Sequence, residues 1–142
     1  MLNILSVSNY IINYCNEKKL YLSYERLNII LYKVNKEYLH RNHKLVFGNK
    51  VSTRVKDYPT YDELSRAYPD GEKIYKFSPR EFVDNDLSVY EGTVVHIIKE
   101  SFKKWKAGEK DRLWGFEKAV DKGHKYVPEH YIEWEIHGDY MG

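Results

Sequence analysis

The sequence from Ser23 to Asn42 reads SYERLNIILYKVNKEYLHRN. Its apolar residues recur every three or four positions, which places them on one face of an α-helix. That face carries Leu27, Ile30, Leu31, Val34 and Tyr38. The charged residues fall mostly on the other faces, at Lys33, Lys36, Glu37 and Arg41. Ser23 can accept a hydrogen bond from the first turn. We therefore predict a central core helix over 23–42.

Outward from this helix, the same periodicity predicts helices on both sides. Upstream, a helix opened by Ser6 or Ser8 has an apolar face made of Val7, Tyr10, Ile11 and Tyr14. Downstream, capping-box patterns predict helix starts at Thr60, Ser78 and Ser88. The last of these helices runs to about Lys106, with a buried stripe of Tyr90, Val94, Ile98, Phe102 and Trp105. Further helices are predicted over 112–121 and 128–136.

Two segments are predicted as short strands. Residues 50–55, KVSTRV, and residues 73–77, KIYKF, contain β-branched or aromatic residues that favour extended backbone. The predicted fold class is therefore mainly α, of the α+β type. It is a compact helical domain with a small β element of two or three short strands, and residues 1–142 form one domain.

The composition is that of an ordinary soluble globular protein. Hydrophobic residues make up 42% and charged residues 31% of the 142 residues, and no apolar run approaches the ~18–20 residues of a membrane span. The N-terminus lacks a basic signal-peptide region. The single cysteine, Cys15, lies in an apolar helical pattern and is expected to be a buried thiol. These features predict a cytoplasmic protein without membrane association.

No sequence pattern predicts a catalytic, cofactor-binding or metal-binding residue. The chain contains no G-x-S-x-G, G-x-x-x-x-G-K, G-x-G-x-x-G or H-E-x-x-H motif. His40 and His43 are three residues apart, but no nearby residue completes a ligand set. The close acid pairs Asp84/Asp86 and Glu133/Glu135 are interpreted as capping or solvated groups. We therefore predict no cofactor and no metal.

Two further features leave alternatives open. A basic stripe, defined as Lys99, Lys103, Lys106 and Lys110, can neutralise phosphates or can serve as a solvated flank. The net charge of +2 is too small to demand a nucleic-acid partner, which makes nucleic acid an unlikely one. Trp114 and Phe116 are either anchors for a partner or packing residues against the long helix.

Several motifs resemble those of a known family. They are LNIILY at 27–32, KLVFGNKV at 44–51, Leu113-Trp114 and VPEHYI at 127–132. Together they resemble the Panacea domain of SocA-like antitoxins, which is found in phage-associated proteins. The resemblance implies an antitoxin that neutralises a partner toxin by direct contact. The toxin would be encoded by a neighbouring gene, and a protease would be a second partner if the chain acts as an adaptor.

The loop at 54–61 is the predicted partner-binding surface. Its sequence is RVKDYPTY, and it departs from the Tyr-Gly-Pro-Val turn of the family. Polar and aromatic loops on rigid scaffolds often carry recognition. We predict Arg54, Lys56, Tyr58 and Tyr61 as partner-binding residues. The alternative functions are a small nucleic-acid-binding regulator, which would use the basic stripe, and a hydrolase or nuclease, which would use the six histidines and the acidic residues.

Overall fold

The computed structural model describes residues 1–69, 74 and 87–136. Over these residues the protein is mainly helical, as predicted. The helices are α1 (Ile4–Glu17), α2 (Tyr24–Asn42), α3 (Asp62–Ala67), α4 (Leu87–Lys106), α5 (Trp114–Asp121) and α6 (Glu129–Ile136). None of the helices in these ranges is both long enough and apolar enough to cross a bilayer.

Helix α2 is central, because α1, α4 and α6 all pack against it. The predicted core face is confirmed: Leu27, Ile30, Leu31 and Val34 are fully buried. Lys33, predicted to fall on another face, is instead buried. A helix packed by neighbours on several sides buries more of its circumference than its apolar stripe alone indicates.

The helix starts confirm some of the predicted caps and correct others. Ser23 caps α2, since its Oγ accepts a hydrogen bond from the Arg26 N–H at 3.1 Å. Helix α1 begins earlier than predicted, because Asn3 Oδ1 accepts from the Leu5 N–H at 2.8 Å. The serines predicted to open α1 lie buried inside it, and Ser8 donates to the Ile4 carbonyl. Asparagine caps as well as serine does.

The later capping boxes also differ from the prediction. Tyr61, not Thr60, is the N-terminal flanking residue of α3, and the buried Thr60 hydroxyl has no hydrogen-bond partner among the residues that the structure describes. Helix α4 includes Ser88 within its first turn but continues to Lys106 as predicted. The capping box predicted at Ser78–Glu81 lies outside the described residues. Local patterns therefore located the helices more reliably than their first residues.

The predicted β element is wrong for the described part of the chain, which contains no strand. Around 50–55 the pairing is limited to isolated antiparallel bridges that join Ser52 to Thr60 and to Tyr126. The chain bends through 54–58 directly after the bridge, so the ladder stops after one residue pair. The second predicted strand, 73–77, lies outside the described residues except for Ile74.

Candidate functional site

A cleft of about 520 Å³ opens between α2, the 54–61 loop and the α4–α5 connection. We call it the main cleft. Its volume is in the range of small-molecule and peptide side-chain sites. It is lined by Glu25, Ile29, Lys56, Asp57, Trp105, Glu109, Lys110, Asp111, Leu113, Phe116 and Glu117. Three separate parts of the chain thus form one concave surface.

The α4–α5 wall of the main cleft is shaped by the way α4 ends. Gly108 has φ +75°, and its N–H donates to the Trp105 carbonyl at 3.1 Å. The Glu109 N–H donates back to the Lys104 carbonyl at 3.0 Å. This pair of bonds is a Schellman motif, which requires a residue that tolerates positive φ. The reversal carries residues 109–113 back alongside α4.

A buried ion pair holds this wall against α2. Lys33 Nζ on α2 donates to Asp111 Oδ1, and the two side chains are only 10% and 12% exposed. The other carboxylate oxygen of Asp111 accepts from Trp105 Nε1 at 2.7 Å. Burial lowers the pKa of Lys33, although the Asp111 carboxylate opposes the shift. The ion pair joins the α4–α5 wall of the main cleft to the central helix.

Ser101 is the third group at this ion pair, with its Oγ 3.4 Å from Lys33 Nζ. A lysine of lowered pKa beside a serine is an arrangement that can activate a nucleophile. The Ser101 side chain, however, is in a residue only 1% exposed, and the lysine is paired with a carboxylate. In this conformation the hydroxyl is not accessible to a substrate, so the cluster is a packing contact.

Aromatic rings and a cation extend the wall outward from Trp105. The Arg26 guanidinium lies 4.8 Å from the Trp105 ring centre and 5.4 Å from that of Phe102. It also lies 5.6 Å from the ring centre of Tyr21, whose carbonyl it contacts at 2.9 Å. Tyr21 itself is 75% exposed. This cation–π stack fixes Trp105 at the edge of the cleft.

The opposite wall comes from the predicted partner-binding loop. Lys56 and Asp57 are exposed and line the main cleft. Arg54 is exposed and donates to Ser65 Oγ at 2.7 Å, which ties the loop to α3. Tyr58 is half-buried, and its pKa is raised mainly by that burial, with further contributions from Tyr24, Glu25 and Asp57. The loop therefore presents its charged side chains to the cleft.

Tyr61, the fourth predicted partner-binding residue, lies in the core. It is fully buried, and its ring meets that of Phe47 edge to face, with 5.5 Å between centroids. Burial strongly raises the pKa of its hydroxyl, which finds no hydrogen-bond partner within the described part of the chain. Because a side chain without accessible surface cannot contact a docking protein, we leave Tyr61 out of the candidate site.

Two smaller cavities flank the core. One of about 370 Å³ lies between the 45–51 segment and the start of α6, and Tyr126 and Ile132 are among its lining residues. The other, of about 190 Å³, is on the far side of the Asp111 ion pair and includes Lys33, Glu100 and Lys104. Glu109, Lys110 and Asp111 line both this cavity and the main cleft. The 109–111 segment thus separates two concave surfaces.

The remaining residues singled out from the sequence are placed as follows. Trp114 is half-buried between Lys118 and Tyr131, and Phe116 is buried at the floor of the main cleft. His40 and His43 are exposed at the end of α2. The basic stripe is exposed along the end of α4 and beyond it. Over the described ranges, the structure brings together no group of three side chains suited to metal binding.

Lys33, Asp111 and Trp105 form one cluster that was not predicted from the sequence. The local sequence around Asp111 is polar and offers no periodicity, so nothing in it indicates burial. Comparisons with protein-family models, with curated proteins and with solved structures find no match to this chain.

Proposed function

We propose that this chain is an antitoxin-like binding protein that neutralises a partner protein by direct contact, and that the partner docks in the main cleft. The observation that supports this is the composition of the cleft walls. The predicted partner-binding loop supplies Lys56 and Asp57, and the α4–α5 connection faces them across a cavity of about 520 Å³. Loop residues at a concave site held by a rigid scaffold suit recognition.

The rigidity of the scaffold is the second support. The Lys33–Asp111 pair, the Trp105 indole bond and the Schellman turn fix one wall. Arg54 and Ser65 fix the other wall to α3, and Ser65 in turn lies 3.0 Å from the Tyr24 hydroxyl. A preformed surface loses little conformational entropy when a partner binds.

The resemblance to the Panacea domain makes a toxin encoded by a neighbouring gene the first partner to test. Action in the cytoplasm and a role as adaptor for a protease are parts of the same proposal. Its experiment is co-expression of this chain with the neighbouring protein, scored by growth rescue, followed by titration calorimetry of the purified pair. Rescue together with a stable complex is the expected result.

Variants of the loop locate the interface. Asp57→Lys is expected to weaken the complex and Lys56→Glu to change its affinity, and both should leave thermal unfolding nearly unchanged, because both residues are exposed. Arg54→Ala and Tyr58→Ala should also weaken it, by about 2 kcal/mol if either residue is a hot spot. Lys122→Glu and Asp121→Lys are matched controls, since these exposed residues lie outside the cleft lining.

Two results would contradict the proposal at different levels. If co-expression gives no growth rescue and the neighbouring protein does not bind this chain, the antitoxin function fails. If it binds equally well to the parent chain and to all four loop variants, the main cleft is not the interface. The nucleic-acid-binding alternative makes a different prediction. It would be favoured if the parent chain bound duplex DNA and if Lys99→Glu and Lys103→Glu lowered that affinity.

A further inference from the structure

The main cleft combines an apolar floor with a charged rim. Its floor is formed by Ile29, Leu113 and Phe116, which are all nearly fully buried. Its rim carries exposed carboxylates on each of the three walls, at Glu25 on α2, Asp57 on the loop, and Glu109 and Glu117 on the α4–α5 side. A side chain that entered the cleft would therefore contact apolar groups at the floor and carboxylates at the rim.

The rim groups are not electrically balanced. Only Lys56 and Lys110 supply positive charge among the lining residues. Asp111 is neutralised by Lys33, and Glu117 is engaged by Arg112 at 3.6 Å and by the Leu113 N–H at 3.0 Å. Three carboxylates, at Glu25, Asp57 and Glu109, then face the two lysines, so the field at the mouth of the cleft is that of one net negative charge. Walls of low dielectric strengthen such a field.

The position of Glu25 aligns the acidic rim with the apolar floor. Glu25 and Ile29 are four residues apart on α2 and so lie on the same helix face. Asp57, on the 54–61 loop, lines the same cleft as Glu25. Both carboxylates thus border the apolar floor.

We propose that the main cleft receives a lysine or arginine side chain presented by the partner protein. The aliphatic stem would lie on the small surface that Ile29 and Leu113, 7% and 5% exposed, present to the cleft, and the cationic head would meet Glu25, Asp57 and Glu109. Long basic side chains combine an apolar stem with a charged head and match this division of surface. This inference rests on the proposed function, since it names what the partner presents.

The test uses the intact chain and two small probes. N-acetylarginine methylamide and N-acetylnorleucine methylamide are titrated separately into isotopically labelled protein, and the Trp105 indole N–H and the backbone amides of 109–117 are followed by NMR. The arginine probe is expected to shift these resonances saturably, in roughly the millimolar range for a ligand of this size. The norleucine probe, which keeps the stem but lacks the charge, should shift them far less.

Charge-reversal variants provide the specificity control. Glu25→Lys combined with Asp57→Lys is expected to weaken binding of the arginine probe by about tenfold and to reduce its dependence on salt. Glu17→Lys combined with Asp121→Lys changes the net charge equally at exposed sites outside the cleft lining and should leave binding unchanged. Unfolding curves of both double variants confirm that the fold is retained.

The outcomes separate this inference from the proposed function. Equal shifts with both probes, no saturable shift, or equal loss in the two double variants would overturn the basic-side-chain inference. If the neighbouring protein still bound and Lys56→Glu still changed its affinity, the proposed function would stand with a different group in the cleft. If the arginine probe bound as expected but the neighbouring protein did not bind, the proposed antitoxin function would be contradicted and the site for a basic side chain would be supported.

Discussion

Lys33 of α2 and Asp111 of the α4–α5 connection form an ion pair that is almost completely shielded from water, although 78 residues separate them in the chain. Each partner makes a second polar contact, the lysine with Ser101 and the carboxylate with Trp105 Nε1. The pair therefore connects the central helix to the wall of the main cleft. Its stability determines how firmly that wall is held.

Removing one member of this pair should be strongly destabilising. Lys33→Met leaves the Asp111 carboxylate buried without its cation, which costs about 3–5 kcal/mol. The double variant Lys33→Met/Asp111→Leu removes both charges and should recover most of that loss. Urea unfolding of the parent, both single variants and the double variant measures the coupling. Additive losses would show that the two side chains do not interact in solution.

The lowered pKa of Lys33 predicts a pH dependence of stability. Between that lowered pKa and the ordinary lysine value near 10.4, the unfolded chain binds more protons than the folded chain. Lys33 therefore makes the free energy of unfolding rise with pH through this alkaline window. The parent should gain stability relative to Lys33→Met there, which urea unfolding at several pH values measures. A constant difference between the two proteins would contradict the shift.

Burial of Cys15 predicts an unreactive thiol. Desolvation in the core raises its pKa to about 11, so almost no thiolate forms near neutral pH. The native protein should react with an aromatic disulfide reagent only slowly, and unfolding in urea should release full reactivity. Rapid labelling of the native protein near neutral pH would show that α1 opens, or that its packing against α2 is not as described.

The central helix could be predicted from sequence because its signal is local and repeated. Leu27, Ile30, Leu31 and Val34 define a stripe that any packed helix would bury, and Ser23 provides a recognisable cap. The prediction of a strand over 50–55 was wrong for the opposite reason. Pairing there is limited to two isolated bridges at Ser52, and whether a ladder continues depends on a partner elsewhere in the chain.

The site was only partly predictable for a related reason. Loop chemistry indicated Lys56 and its neighbours, and the structure places Lys56 at a cleft. Tyr61 was also predicted to bind the partner, but it is buried. Exposed and buried residues follow no regular period in an irregular loop, so the sequence does not distinguish them. The pairing of Lys33 with Asp111 depends on tertiary contact between distant segments, which no spacing in the sequence records.

The predicted core face of α2 can be tested by truncation. Leu31 is fully buried, so Leu31→Ala should lower the free energy of unfolding by about 2–5 kcal/mol. Val89→Ala is a control on an exposed position of α4 and should change it by no more than about 0.5 kcal/mol. Chemical denaturation measures both. A loss below ~1 kcal/mol for Leu31→Ala would mean that the buried face of α2 is misassigned.

Close backbone packing at Gly115 gives the last prediction. A Cβ at this position would lie 2.8 Å from the Tyr131 carbonyl oxygen and 3.0 Å from the Tyr32 hydroxyl, so α5 and α6 approach each other closely there. Gly115→Ala should therefore destabilise the protein by about 1–3 kcal/mol, because the obstructing atom belongs to the backbone and cannot rotate away. Gly92, inside α4, is the matched control, since a Cβ there would meet no atom of the described residues within 4 Å. Gly92→Ala should instead stabilise the protein by about 0.5–1 kcal/mol through helix propensity. Urea unfolding should thus give opposite signs for the same chemical change. If both variants shifted stability in the same direction, the close packing of α5 on α6 would be contradicted.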